Sequence, residues 1–222
     1  MKKLLSTIVT LAALGSATLS AQAQDVKASA QAGEKKAALC IGCHGIPGYQ
    51  ASFPEIHKVP MISGQGAKYV VAALNAYKKG ERKHPTMKSI ASTLSDQDMA
   101  DLGAFYEQQR KGGAPAAAAP AAAKPSDQVA KLLDQGKCTS CHGADFNTPI
   151  DGTYPKLAGQ HADYLYVALK AYQTSNNPQL GRSNAIMAGM AQPFTHAQLK
   201  LLAQYLASLP SELQTVPQSR FR

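Results

Sequence analysis

The sequence predicts an all-α protein made of two tandem copies of one small helical unit, joined by an Ala/Pro-rich linker. Three observations carry this. A short motif, Cys40-Ile41-Gly42-Cys43-His44, returns as Cys138-Thr139-Ser140-Cys141-His142. The segments that follow the two copies match in register. Apolar residues recur at three- and four-residue spacing, and neither half holds a convincing strand run.

The chain opens as an export signal. Lys2 and Lys3 form a basic start, Leu4 to Leu19 is apolar and rich in small residues, and Ala21-Gln22-Ala23 fits the small-x-small cleavage pattern. Cleavage is expected after Ala23, with the mature protein in the periplasm. An uncut membrane anchor is the alternative, but the apolar run is short for a span. The formal net charge is +9, from 23 basic and 14 acidic residues, and loss of Lys2 and Lys3 with the signal leaves +7. This modest excess suits an acidic docking partner or an anionic membrane surface, and so peripheral membrane association. The basic residues are spread along the chain, without basic stripes interleaved with aromatics, which speaks against nucleic-acid binding.

The paired motif is the attachment signature of a c-type haem. Two thiols add across the haem vinyl groups, and the histidine that follows sits beneath the iron. Two residues between the cysteines let one helical turn span both vinyl positions. The four cysteines, Cys40, Cys43, Cys138 and Cys141, are all used in this way, which predicts two covalently bound haems c with His44 and His142 as proximal iron ligands. Disulfides, structural zinc and a redox dithiol compete poorly. The gap between the pairs is long for zinc, and a dithiol needs no histidine after each second cysteine.

Taken in order, residues 32–39 are Ala-rich and read as a short helix running into the first motif. Leu132 to Lys137 plays the same part before Cys138. Between the halves, Pro115, Pro120 and Pro125 interrupt an alanine run, which makes a semi-extended linker rather than a helix. The expected boundaries are 1–23 for the signal, 24–111 for the first domain, 112–126 for the linker, 127–210 for the second domain and 211–222 for a tail. Pro60-Met61-Ile62-Ser63-Gly64-Gln65 faces Pro155-Lys156-Leu157-Ala158-Gly159-Gln160. Tyr69 faces Tyr164, and Tyr77 faces Tyr172, within one amphipathic helix per half. Arg82 faces Arg182 after a five-residue insertion in the second copy. Ser95 and Thr195 each open a final helix, 96–109 and 196–209, and Ser95 with Asp98 resembles a capping box. Each unit is small enough that a covalent haem would have to complete its core.

The sixth iron ligand is the open question. Met61, Met87, Met99 and His84 are candidates in the first half; Met187, Met190, His161 and His196 in the second. Met87 and Met187 lie five residues after the paired arginines and seven before the residue that precedes the final cap, in segments expected as loops. Thioether ligation at both would raise the reduction potentials. Met190 remains a rival to Met187. His57, His161 and His196 read as surface or loop residues. Pro60 and Pro155 could place a carbonyl on the proximal imidazole N–H. Arg82 and Arg182 could pair with haem propionates, and Tyr77 and Tyr172 could line the pockets.

Taken together, the two Cys-x-x-Cys-His motifs, the paired Pro-x-x-x-Gly-Gln, the Tyr-rich helix and the late methionine resemble the dihaem cytochrome c4 family. The resemblance spans Ala32 to Arg110 and Val129 to Leu209 and leaves out the tail. It implies two tandem class I cytochrome c domains, each wrapped round its haem and related by a pseudo-twofold, with His/Met ligation throughout. It also implies electron transport in the bacterial periplasm, to a membrane-bound terminal oxidase from a quinol-oxidising complex or another donor. The expected function is therefore an electron carrier rather than an enzyme. A dihaem peroxidase or thiosulfate-oxidising enzyme is the alternative, and would need a replaceable sixth ligand. A cytochrome subunit of a membrane dehydrogenase complex is the third reading.

Overall fold

A computed structural model describes residues 26–110 and 124–217. The expected export segment, most of the expected linker and the last five residues of the tail lie outside the described residues.

The first half begins with α1 (Ala30–Lys36), whose N-cap Ser29 accepts a hydrogen bond from the Ala32 N–H. The chain turns at Ala37 into α2 (Ala38–His44), the helix that carries the first haem motif. A two-residue hairpin follows, β1 (Gln50–Ala51) against β2 (His57–Lys58), antiparallel. No strand was expected; strands this short leave no periodic signature. The Tyr-rich helix is α3 (Ala67–Lys79), closed by Gly80 at φ +78°, where a left-handed C-cap favours glycine. Then come α4 (Pro85–Ser92) and α5 (Asp96–Gln108). The Ser95–Asp98 capping box is present, with both reciprocal bonds made.

The second half repeats the plan with α6 (Asp127–Gln135), α7 (Cys138–His142), α8 (Ala162–Gln173), α9 (Ala185–Ala191) and α10 (His196–Ser208). Thr195 and Gln198 form the matching capping box. The class is all-α, as the sequence predicts.

Each half has its own apolar core. In the first, Ile41, Val70, Leu74, Met99, Leu102 and Tyr106 are buried together. Here α1 crosses α5 at Gly33, where a Cβ would stand 2.1 Å from the Asp101 carbonyl oxygen, so only glycine permits the approach. Lys36 clamps the same crossing through Asp98 and Asp101. In the second, Val129, Leu132, Leu133, Phe146, Leu165, Phe194, Leu199, Leu202 and Leu206 pack together.

The halves are packed against each other through reciprocal contacts. Lys83 N–H donates to the Gly181 carbonyl at 3.0 Å, and Ser183 N–H donates to the Glu81 carbonyl at 2.7 Å, so Arg82 and Arg182 pair as an antiparallel bridge. Lys170 pairs with Glu55, and Lys58 with Asp163. The tail is part of this contact. Gln214 N–H donates to the Ser63 carbonyl, its side-chain amide donates to the Gln109 carbonyl, and Leu213 is buried. Residues 211–217 thus strap the second half to the first, a role that a sequence match confined to the repeats does not reveal.

Candidate functional site

One continuous cavity of about 590 Å³ runs through both halves and is lined by both haem motifs. Cys40, Cys43, His44 and Met87 line its first part; Cys138, Cys141, His142 and Met187 line its second. All four cysteines are free thiols. Burial pushes the Cys40 thiol up, and pushes Cys138 up to about 11.

His44 and His142 are held alike. His44 Nδ1 lies 2.8 Å from the Pro60 carbonyl oxygen, and His142 Nδ1 lies 3.1 Å from that of Pro155. A carbonyl only accepts, so Nδ1 carries the proton in both rings and Nε2 keeps its lone pair for a metal. Burial lowers the basicity of both imidazoles, opposed by the carbonyl bonds.

The structure sorts the methionines. Met87 and Met187 were expected in loops. Instead each occupies the third position of a short helix, α4 or α9. The N-caps are His84 and Asn184, and each cap side chain accepts the backbone N–H of the methionine itself, at 3.4 and 2.9 Å. Helices of seven or eight residues are too short to announce themselves by periodicity. Met99 is fully buried in the first core and does not line the cavity. Met61 and Met190 do line it. Met190 is 41% exposed, and Met61 is pinned through its backbone to Gln160.

The histidines also need revision. His196 is exposed and His161 half-buried, as expected, but His57 is buried, at 4% exposure. Its Nδ1–H donates to the Glu55 carbonyl at 2.8 Å, and its ring packs near Tyr164 of the other half. The hairpin turns it toward the partner domain, and this contact is invisible in one copy of the repeat.

Arg82 and Arg182 both line the cavity, side by side where the halves meet. The Arg82 guanidinium stacks over Tyr69 and Tyr77 at 5.2 and 5.6 Å, and Arg182 over Tyr164 and Tyr172 at 5.6 and 5.4 Å. Each also donates to a tyrosine hydroxyl, Tyr69 and Tyr164 respectively. Burial drives the Tyr69 hydroxyl up to about 12, and that of Tyr77 upward. At Tyr164 burial acts the same way, but the charges of Arg182 and Arg82 more than offset it and the net shift is downward. Among the described residues neither guanidinium has a carboxylate within ion-pair distance. Two packed cations without a protein anion call for acidic groups from a ligand, and a haem brings two propionates.

The sequence missed three features. Gln65 and Gln160 reach across the interface to Lys156 and Met61. Glu212 pairs with Lys156 at 2.5 Å and Arg110 at 3.5 Å. Tyr106 lines the first part of the cavity with Cys40. The Gly-Gln repeat signalled the first; Glu212 lies beyond the repeat, and the position of Tyr106 carries Leu206 in the second half.

Paired haem-attachment cysteines, carbonyl-oriented histidines and an apolar cavity shared by two helical domains define a dihaem c-type cytochrome. The cytochrome c family model matches residues 30–110 and 126–210. Cytochrome c4 of Stutzerimonas stutzeri is 31% identical over 221 residues, covering 94% of this chain and 99% of the relative. A thiosulfate dehydrogenase electron acceptor of Stutzerimonas stutzeri strain A1501 is 30% identical, covering 90% of this chain and 94% of the relative. The solved structure of reduced recombinant cytochrome c4 from Pseudomonas stutzeri superposes with a TM-score of 0.62 at 30% identity, covering 82% of this chain and all of that one. The chain belongs to the cytochrome c4 family.

Proposed function

We propose that the chain is a periplasmic electron carrier in which both irons are six-coordinate, His44 with Met87 and His142 with Met187. When bound, each haem c supplies a one-electron iron couple. The protein holds it through Cys40 and Cys43, or Cys138 and Cys141. Pro60 and Pro155 fix the imidazole rings so that Nε2 is the coordinating atom. His84 and Asn184 fix the methionine backbones on α4 and α9. Arg82 and Arg182 offer positive charge where the propionates would lie, and the apolar walls exclude water. With His44 and Met87, or His142 and Met187, holding a bound haem from the protein, no side would be left for substrate.

The observation that carries this reading is the repetition. In each half, a proline-held histidine and the methionine at the third position of a capped helix line one cavity. Purified protein should show two haems per chain, a ferric thioether–iron charge-transfer band and no carbon monoxide binding. A high-spin haem that takes up carbon monoxide would support a catalytic dihaem protein instead.

The donor in this reading is a quinol-oxidising complex and the acceptor a membrane-bound terminal oxidase. A second donor is favoured by the relatives named as thiosulfate dehydrogenase electron acceptors, one of them 30% identical along nearly the whole chain. Stopped-flow reduction by a thiosulfate-oxidising enzyme, set against reduction by a quinol-oxidising complex, separates the two.

A further inference from the structure

The two halves differ at one buried position on their final helices. Tyr106 on α5 is the counterpart of Leu206 on α10, each ten residues after the first residue of its helix. Both are buried, at 3% and 5% exposure, and both line the cavity. Among the described residues, Tyr106 Oη is the one fully buried side-chain polar atom without a hydrogen-bond partner. Cys40 packs against the core cluster that holds Tyr106, and both line the same stretch of the cavity. A buried hydroxyl without a partner is costly, and the second half shows that leucine fills the same place. In the first half the hydroxyl lines the same cavity as the Cys40 thiol.

We propose that the Tyr106 hydroxyl donates a hydrogen bond to the Cys40 thioether sulfur of the loaded protein and raises the reduction potential of the first haem relative to the second. The positive end of the O–H dipole then points toward the attached ring in a low-dielectric wall. That orientation favours the more electron-rich ferrous state. Leu206 offers the second haem no such dipole, so the two sites are tuned apart by one oxygen atom. The inference rests on haem attachment at Cys40 and on the carrier reading above.

The test is Tyr106→Phe in the holoprotein, which removes the hydroxyl and keeps the ring, with voltammetry to resolve both couples. Met87→His, which lowers the first haem's couple, assigns the waves. The expected result is two haems per chain, an intact thioether–iron band, and about a threefold fall in the ferrous-to-ferric ratio of the first haem at fixed potential. That is ~30 mV, at about 59 mV per tenfold for one electron. The second couple stays in place. Tyr106→Leu, which copies the second half, shifts the same couple in the same direction. Unmoved potentials in both variants, or equal shifts of both couples, overturn the proposal. A high-spin, carbon-monoxide-binding wild-type protein would instead signal failure of the carrier reading itself, and is seen before any variant is made.

Discussion

The side-chain amide of Gln65 closes two hydrogen bonds on the backbone of Lys156 in the other half. Nε2 donates to the Lys156 carbonyl at 3.1 Å, and Oε1 accepts the Lys156 N–H at 2.9 Å. Gln160 does the same to Met61, at 2.8 and 3.0 Å. Met61 and Lys156 each follow the proline whose carbonyl holds a proximal histidine. The glutamines therefore lock the interface and the segments whose carbonyls hold His44 and His142 in one step.

Gln65→Ala leaves a buried N–H and carbonyl of Lys156 without partners, at about 1–3 kcal/mol. Gln160→Ala acts likewise on Met61. Urea denaturation should show each loss, and the double variant should unfold in two resolved transitions as the halves uncouple. A single transition at the wild-type midpoint would contradict this.

Glu212 anchors the C-terminal strap by pairing with the buried Lys156 ammonium. Glu212→Ala leaves that cation alone and should cost roughly 3–5 kcal/mol. Adding Lys156→Met, which installs the residue found at the matching position of the first half, should recover most of the loss. Equilibrium unfolding of the wild type, Glu212→Ala, Lys156→Met and the double variant measures it.

His84 and Asn184 do the same work with different chemistry. Each caps the helix that carries Met87 or Met187. His84→Asn should be silent in the spectrum and in stability. His84→Ala should cost about 0.5–2 kcal/mol and weaken the thioether band of the first haem alone.

The α1–α5 crossing should set the acid limit of the first domain. Asp98 is held well below the usual carboxylate range by hydrogen bonds from Lys36 and Ser95. Burial alone would raise Asp101, but Lys36, the Ser29 N–H and the Gln97 amide more than offset it, and its pKa falls. Both folded values lie below the unfolded value of about 3.9, so the stabilisation is complete above that pH. It is lost as pH falls through the folded values. Tm measured from pH 5 to 2 should drop steeply in the wild type, and Lys36→Met should flatten that drop. An equal slope in both would show that the clamp is idle.

Much of this was legible in the sequence because the chain states its plan twice. The Cys-x-x-Cys-His pairs located both haem sites, and the repeat register paired Pro60 with Pro155 before their carbonyls were seen on His44 and His142. What stayed hidden depends on contacts between copies or on residues that break the symmetry. His57 reads as a loop residue until the other half covers it. Glu212 and Leu213 lie beyond the repeat and show their purpose only against the opposite domain. Met87 and Met187 were picked out by register, but the helices that hold them are too short to leave a period.

The central claim is that each iron is closed by the methionine at the third position of α4 or α9. The direct measurement is the ferric thioether–iron band, with carbon monoxide uptake, across Met87→Ala, Met187→Ala and Met190→Ala. Met87→Ala and Met187→Ala should each lose half the band and gain one carbon monoxide site, while Met190→Ala matches the wild type. A full band in Met187→Ala with half lost in Met190→Ala, or carbon monoxide binding by the wild type, would contradict the account.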